Sequence, residues 1–243
     1  MTTESNPSAH ASTQSELLRG IRSGLHLMIG FLPFGLVLGA QAIQKGLSIA
    51  EITLMTSLSF AGGSDFAAIQ LWTWPPQTLL IALMTFLINS RYILMSASIT
   101  PYIQHLPKRK SLPMLFLLSD AMWALSLTDA TKRMEQGIHP GFSLPYYMGS
   151  GLTFYFSWVA FTVLGAALGP MLGNLQAYGF DMTIPAVFLV MMKGMWKGWI
   201  KAIPWLISLT VAILTYKFIP GAWYVIAGTT AGLMFVYFTT DSK

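Results

Sequence analysis

The sequence predicts an all-α protein, a polytopic bundle of transmembrane helices made of two inverted-repeat halves, each with one broken or re-entrant helix. Hydrophobic residues make up 54% of the 243 residues and charged residues only 9%, whereas a soluble domain carries about 25% charged residues. A bilayer crossing takes about 20 apolar residues, so about six to eight crossings would occupy most of the chain. The composition therefore excludes a soluble globular protein.

The N-terminal part of the chain sets its orientation. Residues 1–18 are polar and predict a disordered cytoplasmic tail, and residues 19–240 predict one transmembrane domain. The first apolar span covers residues 25–43. Because cytoplasmic loops collect Lys and Arg, the preceding Arg19 and Arg22 place the N-terminus in the cytoplasm.

The second apolar segment, residues 47–72, is interrupted by the run AGGSD from Ala61 to Asp65. A Gly-rich break leaves backbone groups unpaired, which a membrane protein tolerates only inside protein or beside a cavity. A shorter apolar piece, residues 179–189, contains Asp181, a favoured residue for capping a half-helix. We expect both segments to form broken or re-entrant helices.

Five further apolar runs predict spans, and the basic cluster at residues 108–110 marks a cytoplasmic loop between two of them. The distribution of Lys and Arg mildly favours six spans with two re-entrant segments, and eight spans are the alternative. The five runs are residues 79–100, residues 112–128, residues 146–172, a run that ends at Tyr216, and residues 218–240.

Two copies of the tetrapeptide VLGA, at residues 37–40 and 163–166, indicate an internal repeat. The order of elements (span, interrupted segment, span, span) also agrees between residues 20–130 and 146–240. An odd number of spans in each half would make the halves antiparallel. Such inverted repeats place substrate sites at the mid-membrane ends of broken helices.

Ionisable side chains within the predicted spans are candidates for function, because each costs at least about 2.5–3.5 kcal/mol at mid-membrane. Arg91 lies near the centre of its span and Asp120 lies within the next one. Arg91 is expected to bind an anionic group or to change carboxylate partners between states. The alternative is a permanent ion pair that holds two helices in register.

Several function classes are excluded or disfavoured. The chain has no Cys and only four scattered His, so thiol chemistry, disulfides and a metal site are not expected. Its net charge of +5 comes from residues at the ends of apolar runs, which does not indicate nucleic acid. The chain carries no P-loop. An intramembrane protease is the competing enzyme class, but the AGGSD run matches its motif poorly, so we expect neither an enzyme nor a cofactor.

Six short motifs follow one another along residues 20–238. They are Leu32-Pro33-Phe34-Gly35, the run FAGGSDF from Phe60 to Phe66, Asn89-Ser90-Arg91-Tyr92, Ser119-Asp120, Gly179-Phe180-Asp181 and Pro185-Ala186-Val187-Phe188. In this order they resemble the AzlC family of branched-chain amino acid exporters. Two positions depart from the family pattern, which usually has Gln in place of Asp65 and often an acidic residue in place of Ala121.

The resemblance implies a multi-pass permease that exports leucine, isoleucine and valine across the cytoplasmic (inner) membrane. It also implies a small partner membrane protein of the AzlD type. We expect an ion- or proton-coupled carrier in the lipid bilayer. The alternative is a channel-like or accessory subunit that shares its substrate site with a partner, but residues 146–172 and 218–240 are nearly free of strongly polar side chains.

A branched-chain amino acid is a zwitterion with an apolar tail, so a carrier needs donors for the carboxylate, an acceptor for the ammonium and an apolar pocket. Amides and the hydroxyl group of residues 62–64, or Arg91, are assigned to the carboxylate, and Asp65 or Asp181 to the ammonium. Asp120 is the candidate proton carrier, since a buried carboxylate can titrate near neutral pH. The predicted substrate-binding residues are Gly62, Gly63, Ser64, Asp65, Asn89, Arg91, Tyr92 and Asp181.

Overall fold

The computed structural model describes residues 12–104, 106–139, 141–171, 198–219 and 223–240, together with Met182, Leu189, Lys193 and Trp196. All regular secondary structure in these stretches is helical, which confirms the all-α prediction. The chain forms two compact units, residues 1–181 and 182–243. Asp181 and most of the second interrupted segment lie outside the described residues.

The first unit contains eight α-helices in its described part, and three of its helical stretches are long and apolar enough to cross a bilayer. These three are α1, the α4–α5 stretch, and α8 with the short 3-10 turn Gly169–Met171 that follows it. The helices are α1 (Thr13–Gln44), α2 (Ile49–Ser59), α3 (Gly62–Gln70), α4 (Thr78–Asn89), α5 (Arg91–Ile103), α6 (Lys108–Phe116), α7 (Asp120–Glu135) and α8 (Leu144–Leu168).

Helix α1 begins earlier than the sequence analysis expected. Ser12 caps the helix by accepting a hydrogen bond from the amide of Ser15 (3.2 Å). Residues 13–18, which were assigned to the polar tail, are therefore helical. Their polarity is explained by the ion pairs that Glu16 makes in the first turn, and a carboxylate at a helix N-terminus is also favoured by the helix dipole.

Helices α1 and α8 pack directly against each other through glycines. A Cβ at Gly20 would clash with the backbone carbonyl of Tyr146, and one at Gly39 would clash with that of Thr162. Contacting residue numbers increase together along both helices, so the helices run parallel. The two VLGA copies therefore lie side by side on parallel helices, whereas the inverted repeat that we expected would set them antiparallel.

Helices α2 and α3 form a re-entrant hairpin, which we call the first hairpin. Ser48 and Glu51 form a capping box at the start of α2 (Ser48 N to Glu51 Oε2 2.7 Å, Glu51 N to Ser48 Oγ 3.2 Å). After α3 the chain returns to the end of α1, where the Trp74 indole donates to the carbonyl of Lys45 (2.9 Å). Both ends of the hairpin thus lie at the C-terminal end of α1, as the six-span prediction required for this segment.

Helices α6 and α7 replace the single span that was predicted for residues 112–128, and that prediction is wrong. Residues 117–119 break the helix, because Ser119 caps a new one by accepting from the amide of Met122 (3.4 Å). The sequence prediction followed apolar composition and did not weigh this cap. We call α6–α7 the second hairpin.

The second hairpin enters the first unit from the end opposite to the first hairpin. Helices α4 and α5 lead away from Trp74, and along this stretch Arg91 contacts Asp120 while Ser98 accepts from the Trp123 indole (2.7 Å). Helix α7 then continues to the N-terminal end of α1, where Asp129 pairs with Arg19. Helices α5 and α7 therefore run in the same direction, and α6 must lead back from that end.

The described part of the second unit is an antiparallel helix pair, α9 (Trp199–Phe218) and α10 (Trp223–Thr240). A Cβ at Gly228 would lie 2.8 Å from the carbonyl oxygen of Ser208, and one at Gly232 would lie 3.4 Å from that of Pro204. Small residues thus let the two helices approach closely, as is common between membrane helices. These helices correspond to the last two predicted spans.

Candidate functional site

Arg91 joins the tips of the two hairpins about halfway along the α4–α5 stretch. Its Nη2 atom lies 2.9 Å from Asp120 Oδ2 at the start of α7. A Cβ added to Gly63, at the start of α3, would lie 3.1 Å from the same Nη2 atom. Three elements therefore converge on one guanidinium, and we call the residues around it the central site.

Arg91 begins a new helix directly after Ser90. Helix α4 ends at Asn89 and α5 begins at Arg91. In a regular helix these two side chains would point to nearly opposite sides. Ser90 itself keeps right-handed helical dihedrals (φ −55°, ψ −25°), so the chain direction changes little there. The Arg91 guanidinium lies 5.4 Å from the centre of the Tyr92 ring.

Asp65 is held within the first hairpin. Its Oδ1 atom accepts a hydrogen bond from Ser59 Oγ at 2.6 Å, and the residue is only 3% exposed. Its Oδ2 atom is buried and has no hydrogen-bond partner within the described parts of the chain. The Ser64 hydroxyl, which we assigned to the substrate carboxylate, instead donates to the carbonyl of Ala61 (2.9 Å).

The start of α3 presents backbone amides at the tip of the first hairpin. The amides of Ser64 and Asp65 bond to the carbonyl of Ala61 (2.8 and 3.0 Å), and the helix has no side-chain cap. The amides of Gly62 and Gly63 are the first of the helix, where intrahelical partners are missing. A helix N-terminus of this kind attracts anions.

The central site combines unpaired donors with unpaired acceptors. Burying such an atom without a partner costs about 1–3 kcal/mol, so each one needs an explanation. A polar ligand that carries both charges would satisfy both kinds of atom. Among the described residues, the buried side-chain atoms without a partner at this site are Asp65 Oδ2, Arg91 Nε and Trp158 Nε1. Asn89 Oδ1, two positions before Arg91 in the sequence, is also buried without a partner.

A second polar cluster lies at the N-terminal end of α1, and we call it the end cluster (Glu16, Arg19, Asp129 and Arg133). Arg19 bonds both carboxylate oxygens of Asp129, with Nη2 to Oδ2 at 3.0 Å. Glu16 Oε2 accepts from Arg19 Nη2 at 2.8 Å and from Arg133 Nη1 at 2.9 Å. The end cluster therefore joins α1 to α7. No three His, Asp or Glu side chains in the described ranges come together as a metal site.

The family model described as AzlC protein matches residues 27–172 of the chain. The chain belongs to the AzlC family. The matched range contains both hairpins, Arg91 and the unpaired atoms of the central site, and it begins after Glu16 and Arg19. This AzlC protein is therefore a membrane protein, in agreement with its three long apolar helical stretches.

Related membrane proteins cover most of this AzlC chain. The inner membrane protein YgaZ of Escherichia coli is 26% identical over 190 residues, which are 74% of this chain and 73% of YgaZ. An uncharacterized membrane protein of Archaeoglobus fulgidus is 28% identical over 193 residues (78% and 80%). Another from Haemophilus influenzae is 26% identical over 216 residues (86% and 83%). No solved structure matches the chain.

Three residues of the central site were missed by the sequence analysis. Ser59 precedes Asp65 by six positions, and only the turn between α2 and α3 brings the two together. Trp158 lies in the middle of α8, with its ring 2.9 Å from the position of a Cβ on Gly62. Because Trp prefers the ends of membrane spans, a Trp in the middle of an uncharged span was a usable signal.

Phe60, the third missed residue, connects α2 to α3 in a left-handed conformation (φ 40°, ψ 43°). Among the described residues other than glycine, it is the one whose φ is positive. Such a conformation costs about 1–2 kcal/mol for a residue with a side chain. The surrounding aromatic residues must therefore hold Phe60 in place.

Proposed function

We propose that this AzlC protein is a secondary transporter that exports branched-chain and other hydrophobic amino acids across the cytoplasmic membrane, driven by protons or another ion. The observation that carries the proposal is the convergence of two hairpin tips on Arg91, near buried donors and acceptors that have no partner in the described parts of the chain. Sites at the mid-membrane ends of broken helices are common in secondary transporters.

The unpaired atoms match the two charges of an amino acid. The carboxylate would bind the first amides of α3, at Gly62 and Gly63, together with Arg91. The ammonium would bind the free Asp65 Oδ2 and the Asn89 carbonyl oxygen. A zwitterion would thus satisfy buried groups of both kinds, whereas a simple anion or cation would satisfy only one.

Asp120 would couple transport to protons through its ion pair with Arg91. A proton on Asp120 Oδ2 neutralises the carboxylate and releases the guanidinium to the substrate carboxylate. When the proton leaves, the charged Asp120 carboxylate pairs with Arg91 again. The substrate carboxylate then loses its guanidinium partner. Substrate and proton would then occupy Arg91 and Asp120 in a linked sequence.

The orientation and the partner are also part of the proposal. The N-terminal end of α1 faces the cytoplasm, because the exposed Arg22 and the basic residues 108–110 lie at that end. A small membrane protein of the AzlD type works with the chain. Its contribution can be measured separately from that of Arg91.

Efflux of radiolabelled leucine from preloaded cells tests the proposal. Cells expressing the chain, with and without the small membrane protein, are compared with cells expressing Arg91→Ala. Arg22→Ala is the matched control, since it removes an exposed guanidinium outside the central site. We expect efflux that Arg91→Ala abolishes and Arg22→Ala preserves. Equal efflux from Arg91→Ala cells, at equal protein levels in the membrane, would refute the proposal.

A further inference from the structure

Three aromatic rings from different elements meet between the two hairpin tips. They belong to Phe60 of the first hairpin, Phe116 at the end of α6, and Tyr155 of α8. The ring centres are 5.2 Å apart for Phe60 and Tyr155, 5.8 Å for Phe116 and Tyr155, and 6.5 Å for Phe60 and Phe116. Each ring therefore contacts both others, and we call the group the aromatic triad.

The backbone at Phe60 indicates that its ring is needed. A left-handed residue that joins two helices is ordinarily Gly, which adopts this conformation without steric cost. Phe60 keeps the unfavourable conformation and buries its ring to 4% exposure against Tyr155 and Phe154. Retained strain of this kind concentrates at functional sites.

The aromatic triad lies next to the predicted carboxylate-binding amides. Phe60 precedes Gly62 by two positions, and consecutive Cα atoms are about 3.8 Å apart. An amino acid held at its carboxylate by Gly62 and Gly63 is long enough to place its side chain on the triad. Phe116 remains 48% exposed, so apolar surface is available there.

We propose that the aromatic triad is the side-chain pocket of the central site and selects amino acids with bulky apolar side chains. This inference rests on the proposed function, since it assigns a pocket to the same substrate. The polar groups around Arg91 recognise what all amino acids share. The triad recognises the apolar side chain, by burial of apolar surface between the two hairpin tips.

The test compares apparent KM values for leucine and phenylalanine efflux from proteoliposomes that contain the full chain. Phe116→Ala removes the half-exposed ring, which leaves leucine with less contact and gives phenylalanine more room. We expect the KM for leucine to rise about tenfold and the KM ratio of leucine to phenylalanine to change by about fivefold or more. Phe86→Ala is the matched control, because Phe86 is 67% exposed on α4.

A second variant separates the role of the ring from folding. Phe60→Gly suits the left-handed backbone, so the variant should fold, which its thermal unfolding will check. We expect it to shift the same KM ratio in the same direction. An unchanged ratio in both variants, with wild-type efflux intact, would overturn the pocket alone. Absence of efflux of either amino acid by the wild-type chain would overturn the proposed function and the pocket with it.

Discussion

The end cluster and the central site differ in how their charged groups are paired. In the end cluster, Asp129 binds one Arg through both oxygens and Glu16 binds two Arg side chains. Its unpaired buried atoms are donors only, the Nε atoms of Arg19 and Arg133, in the part of the chain that the structure describes. Every carboxylate and every guanidinium of the end cluster thus has an ion-pair partner.

The central site, by contrast, contains both donors and acceptors that have no partner among the described residues. Among the described residues it has the ion pair of Arg91 with Asp120, the buried and unpaired Asp65 Oδ2, and, two positions before Arg91 in the sequence, the buried and unpaired Asn89 Oδ1. A buried polar network that is only partly satisfied destabilises a fold, so its retention points to a ligand. The difference teaches that charged side chains indicate a functional site where buried acceptors lack partners. Where every carboxylate is paired, they indicate a structural role.

The largest expected effect comes from Asp120→Asn. The amide keeps the shape of the side chain but removes the charge that pairs with Arg91. We expect net leucine efflux to fall by about 100-fold, since proton transfer by a positioned side chain contributes about that factor or more to a rate. Leucine exchange across the membrane should persist, because exchange requires no net proton movement.

Efflux and exchange measured on the same preparation check this prediction. Asp129→Asn is a useful comparison, because it changes a carboxylate of the same helix that lies in the end cluster. Wild-type net efflux by Asp120→Asn would exclude Asp120 as the proton carrier.

Glu16→Gln should affect stability without affecting substrate binding. It removes the carboxylate shared by Arg19 and Arg133 and leaves both guanidinium groups partly buried. We expect the protein to lose about 2 kcal/mol of stability, less than for a fully buried pair because Arg19 is partly exposed. The thermal unfolding midpoint in detergent and the KM for leucine measure the two properties separately.

The matched control is Glu135→Gln, which changes an exposed carboxylate at the end of α7 and should leave the unfolding midpoint unchanged. A raised KM for Glu16→Gln at an unchanged midpoint would contradict the architectural role of the end cluster.

Gly63→Ala tests the close approach of α3 to Arg91. The new Cβ would lie 3.1 Å from Arg91 Nη2, so the guanidinium must shift by a few tenths of an ångström. We expect the KM for leucine to rise about tenfold, because misplacement of this size weakens a charged hydrogen bond.

Gly30→Ala is the control for Gly63→Ala, since a Cβ at Gly30 of α1 has no neighbour within 4 Å in the described chain. This substitution should raise stability slightly through helix propensity and leave KM unchanged. Equal KM values for the two alanine variants would show that Gly63 is only a packing residue.

Ser59→Ala is expected to have the smallest effect. It removes the 2.6 Å hydrogen bond to Asp65 Oδ1 and leaves the carboxylate otherwise in place. A single hydrogen bond contributes about 1 kcal/mol, which corresponds to about a fivefold rise in KM. Ser57→Ala is the control, because that hydroxyl bonds only the backbone of its own helix (3.3 Å to the Leu54 carbonyl). No change for Ser59→Ala would indicate that Asp65 is positioned by its backbone alone.

Local sequence patterns predicted the features that depend on local chemistry. The AGGSD run indicated a helix break, and the break lies at Phe60 and Ala61, directly before the glycines that begin α3 at the tip of the first hairpin. The sequence predicted a carboxylate partner for Arg91, because charges within apolar spans require partners, and Asp120 is that partner in the structure. Both features follow from the cost of unpaired polar groups in a membrane.

Features that depend on contacts between distant segments could not be predicted from local patterns. The break before Asp120 is a different case: its cap at Ser119 is a local signal, and it was missed because the prediction followed apolar composition alone. The parallel packing of α1 and α8 depends on which glycine faces which backbone carbonyl. Trp158 lies at the central site because α8 packs against the first hairpin, a contact between segments far apart in the sequence.

The entry of the two hairpins from opposite ends also has an electrical consequence. Asp120 pairs with Arg91, which lies about halfway along a helical stretch of 26 residues that is long enough to cross the bilayer. A charge that crosses a whole membrane at 100 mV changes its energy by about 2.3 kcal/mol. A proton that stops at Asp120 crosses about half of that voltage from either face. Both the arrival and the departure of the proton would therefore respond to membrane voltage, each with about half of the energy change of a complete crossing.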